Sequence, residues 1–138
     1  MPHILHLLKE TLAVCSLPPD TIPRIPTADF WAIVRTPDEL SLVVPEAEIV
    51  PGAIVELGWR GLYVEGPLSL EAIGILAGLT TVLAAAGVSI FSISTYRTDY
   101  LLLRQHDFAG SAEVAAGHLV SAELYPPTPE GFRRAGCC

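Results

Sequence analysis

The chain has 138 residues, 51% of them hydrophobic and 17% charged, with a formal net charge of -7. That length supports one substantial core or two small interlocked ones, and the apolar excess points to surface shared with a partner subunit. Eight Lys and Arg residues with no cluster among them argue against nucleic acid as a partner, because phosphate binding rests on grouped cations that release counterions.

Met1 to Glu10 lacks a basic n-region, a sustained apolar stretch and a small-residue cleavage site, so no secretory leader is expected. Cys15 lies in an apolar run and reads as a small buried hydrophobe, while Cys137 and Cys138 build neither a disulfide framework nor a metal-ligand pattern. A reducing cytoplasm is the expected location. A prenylation box would place its Cys four from the end, so residues 123–138 are expected to be a flexible tail.

In chain order, residues 4–8 and 12–17 are apolar or β-branched runs around Lys9-Glu10-Thr11 and predict a hairpin. Pro18, Pro19, Pro23 and Pro26 then forbid regular structure. Phe30 to Arg35 predicts a strand, Thr36-Pro37-Asp38-Glu39 a turn, and Leu40 to Val44 the returning strand. Pro45 to Gly52 reads as a loop, and Ala53 to Leu57 as a short strand. A further strand at Leu62-Tyr63-Val64 runs into a Gly66-Pro67 loop and then a helix over 70–86. Ser69 is its N-cap, Glu71 suits the helix dipole, and Gly87 supplies the stop. Residues 88–100 alternate as a strand and tight turn, and 110–119 predict a second, amphipathic helix through Val114, Ala115 and His118.

No charged residue occurs between Ala72 and Tyr96, which raises a membrane span as a rival. Thr80 and Thr81 interrupt the segment, Gly87 ends the helical pattern, and Val88 to Ile93 alternate in steps of two. No basic cluster flanks the segment. The reading is therefore helix followed by strand, with no membrane partner.

A weak internal repeat lays Trp31 to Val43 over Phe91 to Leu103 without a gap, which sets Glu39 opposite Asp99. The order strand, helix, strand, hairpin, strand, helix is most of a ferredoxin-like βαββαβ unit. The expected fold is α+β: two ferredoxin-like modules with antiparallel sheets and helices on one face, the N-terminal module degenerate. The boundaries are 1–57 for the first module and 58–122 for the second.

Three stretches carry a resemblance. They are Gly58-Trp59-Arg60-Gly61-Leu62 leading into Val64-Glu65-Gly66-Pro67-Leu68, then Leu83 to Phe91, and above all Ile93-Ser94-Thr95-Tyr96-Arg97-Thr98-Asp99-Tyr100-Leu101-Leu102-Leu103. Here the chain resembles ACT-domain proteins, and more narrowly the small tandem-ACT group related to cytosolic arginine sensors and aspartate kinase regulatory domains. The likeness is sharp over about 60–120 and looser over 4–57, where Arg35 to Ser41 fits the group's N-terminal module. It implies a regulatory fold that binds a free amino acid without catalysis or cofactor, pairs as a homodimer and signals to a downstream protein. It places the ligand between the first-strand-to-helix loop of one module and the second strand and hairpin of its neighbour. The implied ligand-binding residues are Glu65, Gly66, Pro67, Leu68, Ser69, Ile90, Ser92, Ser94, Thr95, Tyr96 and Asp99.

The residues themselves offer the same chemistry. A helix start around Leu68, Ser69 and Leu70 supplies unsatisfied N–H groups for a carboxylate. Asp99 at the end of a tight turn can hold an ammonium or a basic side chain, whereas Arg97 would favour an acidic ligand. Each residue also has a plainer role: Asp99 can bind turn amides, Ser69 can cap the helix, and Ser92 and Ser94 can be the less buried face of a strand. An enzyme is not expected, since His3, His6, His106 and His118 make no zinc motif and there is no nucleophile elbow, P-loop or dinucleotide fingerprint. Two alternatives stay open: a ligand-free dimerisation module, and a regulatory subunit acting in trans on an amino-acid biosynthetic enzyme.

Overall fold

A computed structural model describes residues 4–65, 75–111 and 123–125. Among them the strands are β1 (Ile4–Leu7), β2 (Leu12–Leu17), β3 (Ala32–Arg35), β4 (Leu40–Pro45), β5 (Ile54–Val64), β6 (Ile90–Ser94), β7 (Asp99–Arg104) and β8 (Glu123–Tyr125), with helix α1 at Ile75–Ala85. The chain divides into two compact units, 10–59 and the combination of 1–9 with 60–138.

In the 10–59 unit the strand order is β3-β4-β2-β5, antiparallel throughout. Strand periodicity of two puts Ala13, Cys15 and Leu17 opposite Val44, Leu42 and Leu40, and these six form the core. Burial pushes the Cys15 thiol up from its ordinary value. The proline-rich stretch after β2 cannot make a helix and is tied down by side chains instead. Arg35 Nη2 donates to the Thr21 carbonyl, and the Thr27 N–H and hydroxyl both donate to Glu48 Oε1, at 2.9 and 2.8 Å. The Thr27 bonds hold the Glu48 carboxyl below the usual carboxylate range.

In the other unit the order is β6-β7-β5-β1-β8. The expected hairpin between 4–8 and 12–17 does not form: β1 runs antiparallel to the end of β5 with Leu5 opposite Val64 and Leu7 opposite Leu62, while β2 pairs with β4 and β5. The reason is burial, since Leu5 joins Leu62, Val64, Leu79, Leu83, Leu101, Leu103 and Phe108 in one core cluster. Helix α1 supplies Leu79 and Leu83, each 1% or less exposed. It ends as the sequence predicts. The Gly87 N–H bonds the Ala84 carbonyl at 2.9 Å, the Val88 N–H bonds that of Leu83 at 3.0 Å, and Gly87 has φ +77. This is the paired-bond helix exit that glycine permits, with Val88 packed on the same core as Leu83. The predicted helix start at 70–74, its Ser69 cap and most of 110–119 lie outside the described residues, although 108–111 are helical.

The sequence reading separated Ala53–Leu57 from the strand at Leu62, but β5 is one eleven-residue strand. Leu12 faces Trp59 whereas Val14 faces Glu56, so two residues of β5 (Leu57 and Gly58) lie opposite Ala13 alone. Gly58 has φ +78, and its N–H is bound by Glu46 Oε1 at 2.9 Å. This is a bulge that glycine in the left-handed region makes possible. It changes which parity of β5 is buried in a core, from Val55 before it to Leu62 and Val64 after it. Replacing Gly58 by Ala forces a Cβ into that conformation, and we expect a loss of about 1–2 kcal/mol in urea-induced unfolding, with Gly58→Asn closer to wild type.

Candidate functional site

The β6–β7 turn is built by threonine. The Thr95 N–H bonds the Thr98 carbonyl at 2.8 Å, the Thr95 hydroxyl bonds the same carbonyl at 3.0 Å, and the Thr98 N–H donates back to the Thr95 hydroxyl at 3.2 Å. The β3–β4 turn repeats the pattern. The Thr36 N–H bonds the Glu39 carbonyl at 2.9 Å, and the Glu39 N–H donates to the Thr36 hydroxyl at 3.2 Å. The two hairpins therefore superpose Thr36 on Thr95 and the pair Arg35–Leu40 on Ser94–Asp99.

This register corrects the gap-free repeat by one residue: Glu39 corresponds to Thr98, and Asp99 corresponds to Leu40. In a strand a one-residue shift changes the face of every side chain, so the consequence is large. Leu40 is wholly buried in the core of its unit, and Ile33 packs on that core. The matching places on β7 and β6 hold Asp99 and Ser92. Further along the same face Leu101 and Leu103 remain buried, as Leu42 and Val44 do. The turn end of the second hairpin has thus exchanged apolar core residues for polar ones.

Asp99 is half-buried, and its Oδ1 accepts the Ser94 hydroxyl at 2.6 Å. Ser92, Ser94, Thr95 and Tyr96 are exposed, Tyr96 by 82%. Thr98 is buried, and its hydroxyl donates to the Val64 carbonyl, which ties the turn to the end of β5. Glu65 follows directly. Ser92, Ser94, Thr95, Tyr96 and Asp99 thus gather around one turn, with Glu65 at the same end of the sheet. Ile90 stands apart, opposite Leu103 and packed on the core. Gly66, Pro67, Leu68 and Ser69 lie outside the described residues.

A second feature escaped the sequence reading. His6 sits opposite Tyr63 on neighbouring strands, and the rings stack with centroids 4.8 Å apart at 16°. Tyr63 meets Tyr100 at 4.7 Å and 30°. His6 Nε2 lies 3.2 Å from Glu65 Oε1. Only the β1–β5 pairing brings these groups together, and the expected β1–β2 hairpin concealed it. Burial raises the Tyr63 phenol, with the Glu65 charge adding to the effect, and burial beside Tyr63 pushes Tyr100 up to about 12.

This arrangement offers a carboxylate beside hydroxyls and turn carbonyls, a set that binds a cation with hydrogen-bonding neighbours. Among the described residues no three His, Cys, Asp or Glu side chains group to hold a metal ion, and no helix is long and apolar enough to cross a membrane.

The ACT domain family pattern matches residues 54–113, a span that contains both β5 and the polar hairpin. Over that span the chain is similar to ACT domains. It is 29% identical over 99 residues to subunit 1 of the cytosolic arginine sensor for mTORC1 of Bos taurus, covering 64% of this chain and 30% of that protein. Against the Pongo abelii counterpart it is 28% identical over 127 residues, covering 80% and 39%. The chain spans about a third of the length of these curated relatives. Among solved structures, an Agobacterium tumefaciens protein aligns at TM-score 0.78 and 27% identity, over 93% of this chain and 96% of that one. The regulatory subunit of aspartate kinase from Thermus thermophilus aligns at TM-score 0.55 and 11% identity, over 79% and 93%, a likeness of fold.

The Tyr63–Tyr100 pair has a measurable consequence. A phenol held neutral in the folded state stabilises that state fully below the ordinary tyrosine range, and the contribution is lost as pH rises from there toward the folded value. Ultraviolet titration of tyrosinate should show a component near pH 12 that disappears in Tyr100→Phe.

Proposed function

We propose that this chain is a regulatory protein of two ACT-type modules that binds a free amino acid and acts by changing module or subunit pairing. Each unit has the strand order of a ferredoxin-like βαββαβ module, β3-β4-β2-β5 in one and β6-β7-β5-β1 in the other. On this reading the first module has lost its helices to the proline-rich stretch and the short 3-10 turn at Glu46–Glu48, and β1 completes the second. The relatives named as cytosolic arginine sensors and aspartate kinase regulatory subunits support a sensing role and a cytoplasmic setting.

The observation that carries the proposal is the polar exchange in the β6–β7 hairpin. A domain that only had to pack would keep an apolar residue where Asp99 stands, as the β3–β4 hairpin keeps Leu40. Placing a carboxylate there sacrifices burial worth roughly 1.5–3 kcal/mol for a leucine, a loss that ligand recognition explains. Asp99 would bind the ligand's ammonium or a basic side chain, with Ser92, Ser94 and Thr95 adding hydroxyl contacts. Glu65, Gly66, Pro67, Leu68 and Ser69 would form the opposing loop, with the helix start binding the carboxylate, and Tyr96 would border the pocket, while Ile90 belongs to the core. Ligand that favours one pairing shifts its population, and a downstream protein reads the change.

A homodimerisation role is favoured by a separate observation. The outer side of α1 presents Ala77, Thr81, Ala84 and Ala85, small side chains that let another backbone approach, and among the described strands β6 pairs with β7 alone. Dimerisation and sensing are compatible.

Thermal denaturation in the presence of each of the twenty amino acids tests the proposal. One or two should stabilise the wild type, by about 2.7 kcal/mol at a hundred times the dissociation constant, and Asp99→Ala should abolish the effect while remaining folded. A folded protein that none of the twenty stabilises would leave the pairing module as its function.

A further inference from the structure

We infer that His6, contributed by the N-terminal strand, is a positioning residue that fixes the Glu65 carboxylate to receive the cationic group of the bound amino acid. The inference rests on the sensing role proposed above and extends it to a residue distant in sequence from the ACT hairpin.

Glu65 is the first residue after β5. A glutamate there would normally sample many rotamers in water. Here Oε1 lies 3.2 Å from His6 Nε2. The imidazole side chain is 8% exposed and that of Glu65 39% exposed, so a buried ring fixes one oxygen of a carboxylate that still reaches solvent. The ring in turn is held by its stack on Tyr63, which packs on Tyr100. His6 is thereby a rigid donor mounted on a sheet, and it commits a flexible acid to one orientation before any ligand arrives. Oε2 carries no hydrogen bond from another described residue, and it is the oxygen free to accept from an ammonium or guanidinium.

The effect follows from entropy. Ordering a long side chain on binding costs affinity by up to about tenfold, and the His6 bond removes that cost in advance.

Two substitutions at His6 separate positioning from packing. Phe keeps an aromatic ring to stack on Tyr63 but cannot donate, whereas the Gln amide nitrogen reaches the place of Nε2 and can. Thermal-shift and calorimetric titrations with the twenty amino acids, one at a time, should give wild-type affinity for H6Q. H6F should bind about tenfold more weakly, and Glu65→Gln, which removes the receiving charge itself, should lose at least as much. Equal affinity in H6F and wild type would overturn the inference while leaving the sensing role intact. A wild type that binds none of the twenty would overturn both. Equal weakening in H6Q and H6F would show that the ring only packs, which also overturns it.

Discussion

Strand β5 is the constraint on which the rest depends. Its eleven residues belong to both compact units, Ile54 to Trp59 to one and Arg60 to Val64 to the other. A strand of alternating faces can serve two cores only if its alternation matches each of them. The bulge at Leu57 and Gly58 does this by adding one residue, so the partly buried Val55 packs on a core before it, and Leu62 and Val64 are buried in a core after it. Gly58 can occupy that place because it has no Cβ, and Glu46 binds the amide that the bulge leaves unpaired in the ladder. The end of β5 then accepts the Thr98 hydroxyl and leads into Glu65, so the strand also sets the position of the candidate site.

The polar hairpin gains its meaning from comparison with its apolar counterpart. Both turns close with a threonine that accepts from and donates to the residue three positions on, and both lead into strands with the same inward-facing series. Where one hairpin continues the core with Ile33 and Leu40, the other places Ser92 and Asp99 and joins Asp99 to Ser94. Two hairpins of like geometry and unlike chemistry are the ground for the proposal that the difference serves ligand binding. The His6–Tyr63–Tyr100 row adds a rigid base for Glu65 beside it.

Much of this was legible in the sequence. The strand alternation of Val88 to Ile93, the glycine stop at Gly87, the turn at 36–39 and a tight turn before Tyr100 follow from local periodicity and turn chemistry, which a single sequence displays. What failed was non-local. The β1–β2 hairpin was expected because its two runs are neighbours in sequence, but Leu5 gains more burial beside Val64 than it could beside β2. The repeat was laid one residue out of register because Glu39 and Asp99 are both acidic; the hydrogen bonds of the turn, invisible in sequence, align Thr36 with Thr95. His6 looked like an isolated histidine, since its partner lies 59 residues away. The loop at Gly66–Ser69 was read from its Gly-Pro and N-cap residues and lies outside the described part of the structure.

The most direct measurement gives the second hairpin the core residues of the first, through the double variant Ser92→Ile with Asp99→Leu. Calorimetric titration with the amino acid that most stabilises the wild type should show no binding, in a protein at least as resistant to heat as the parent because the core is extended. Wild-type affinity in that variant would contradict the claim that the polar exchange exists to bind a ligand.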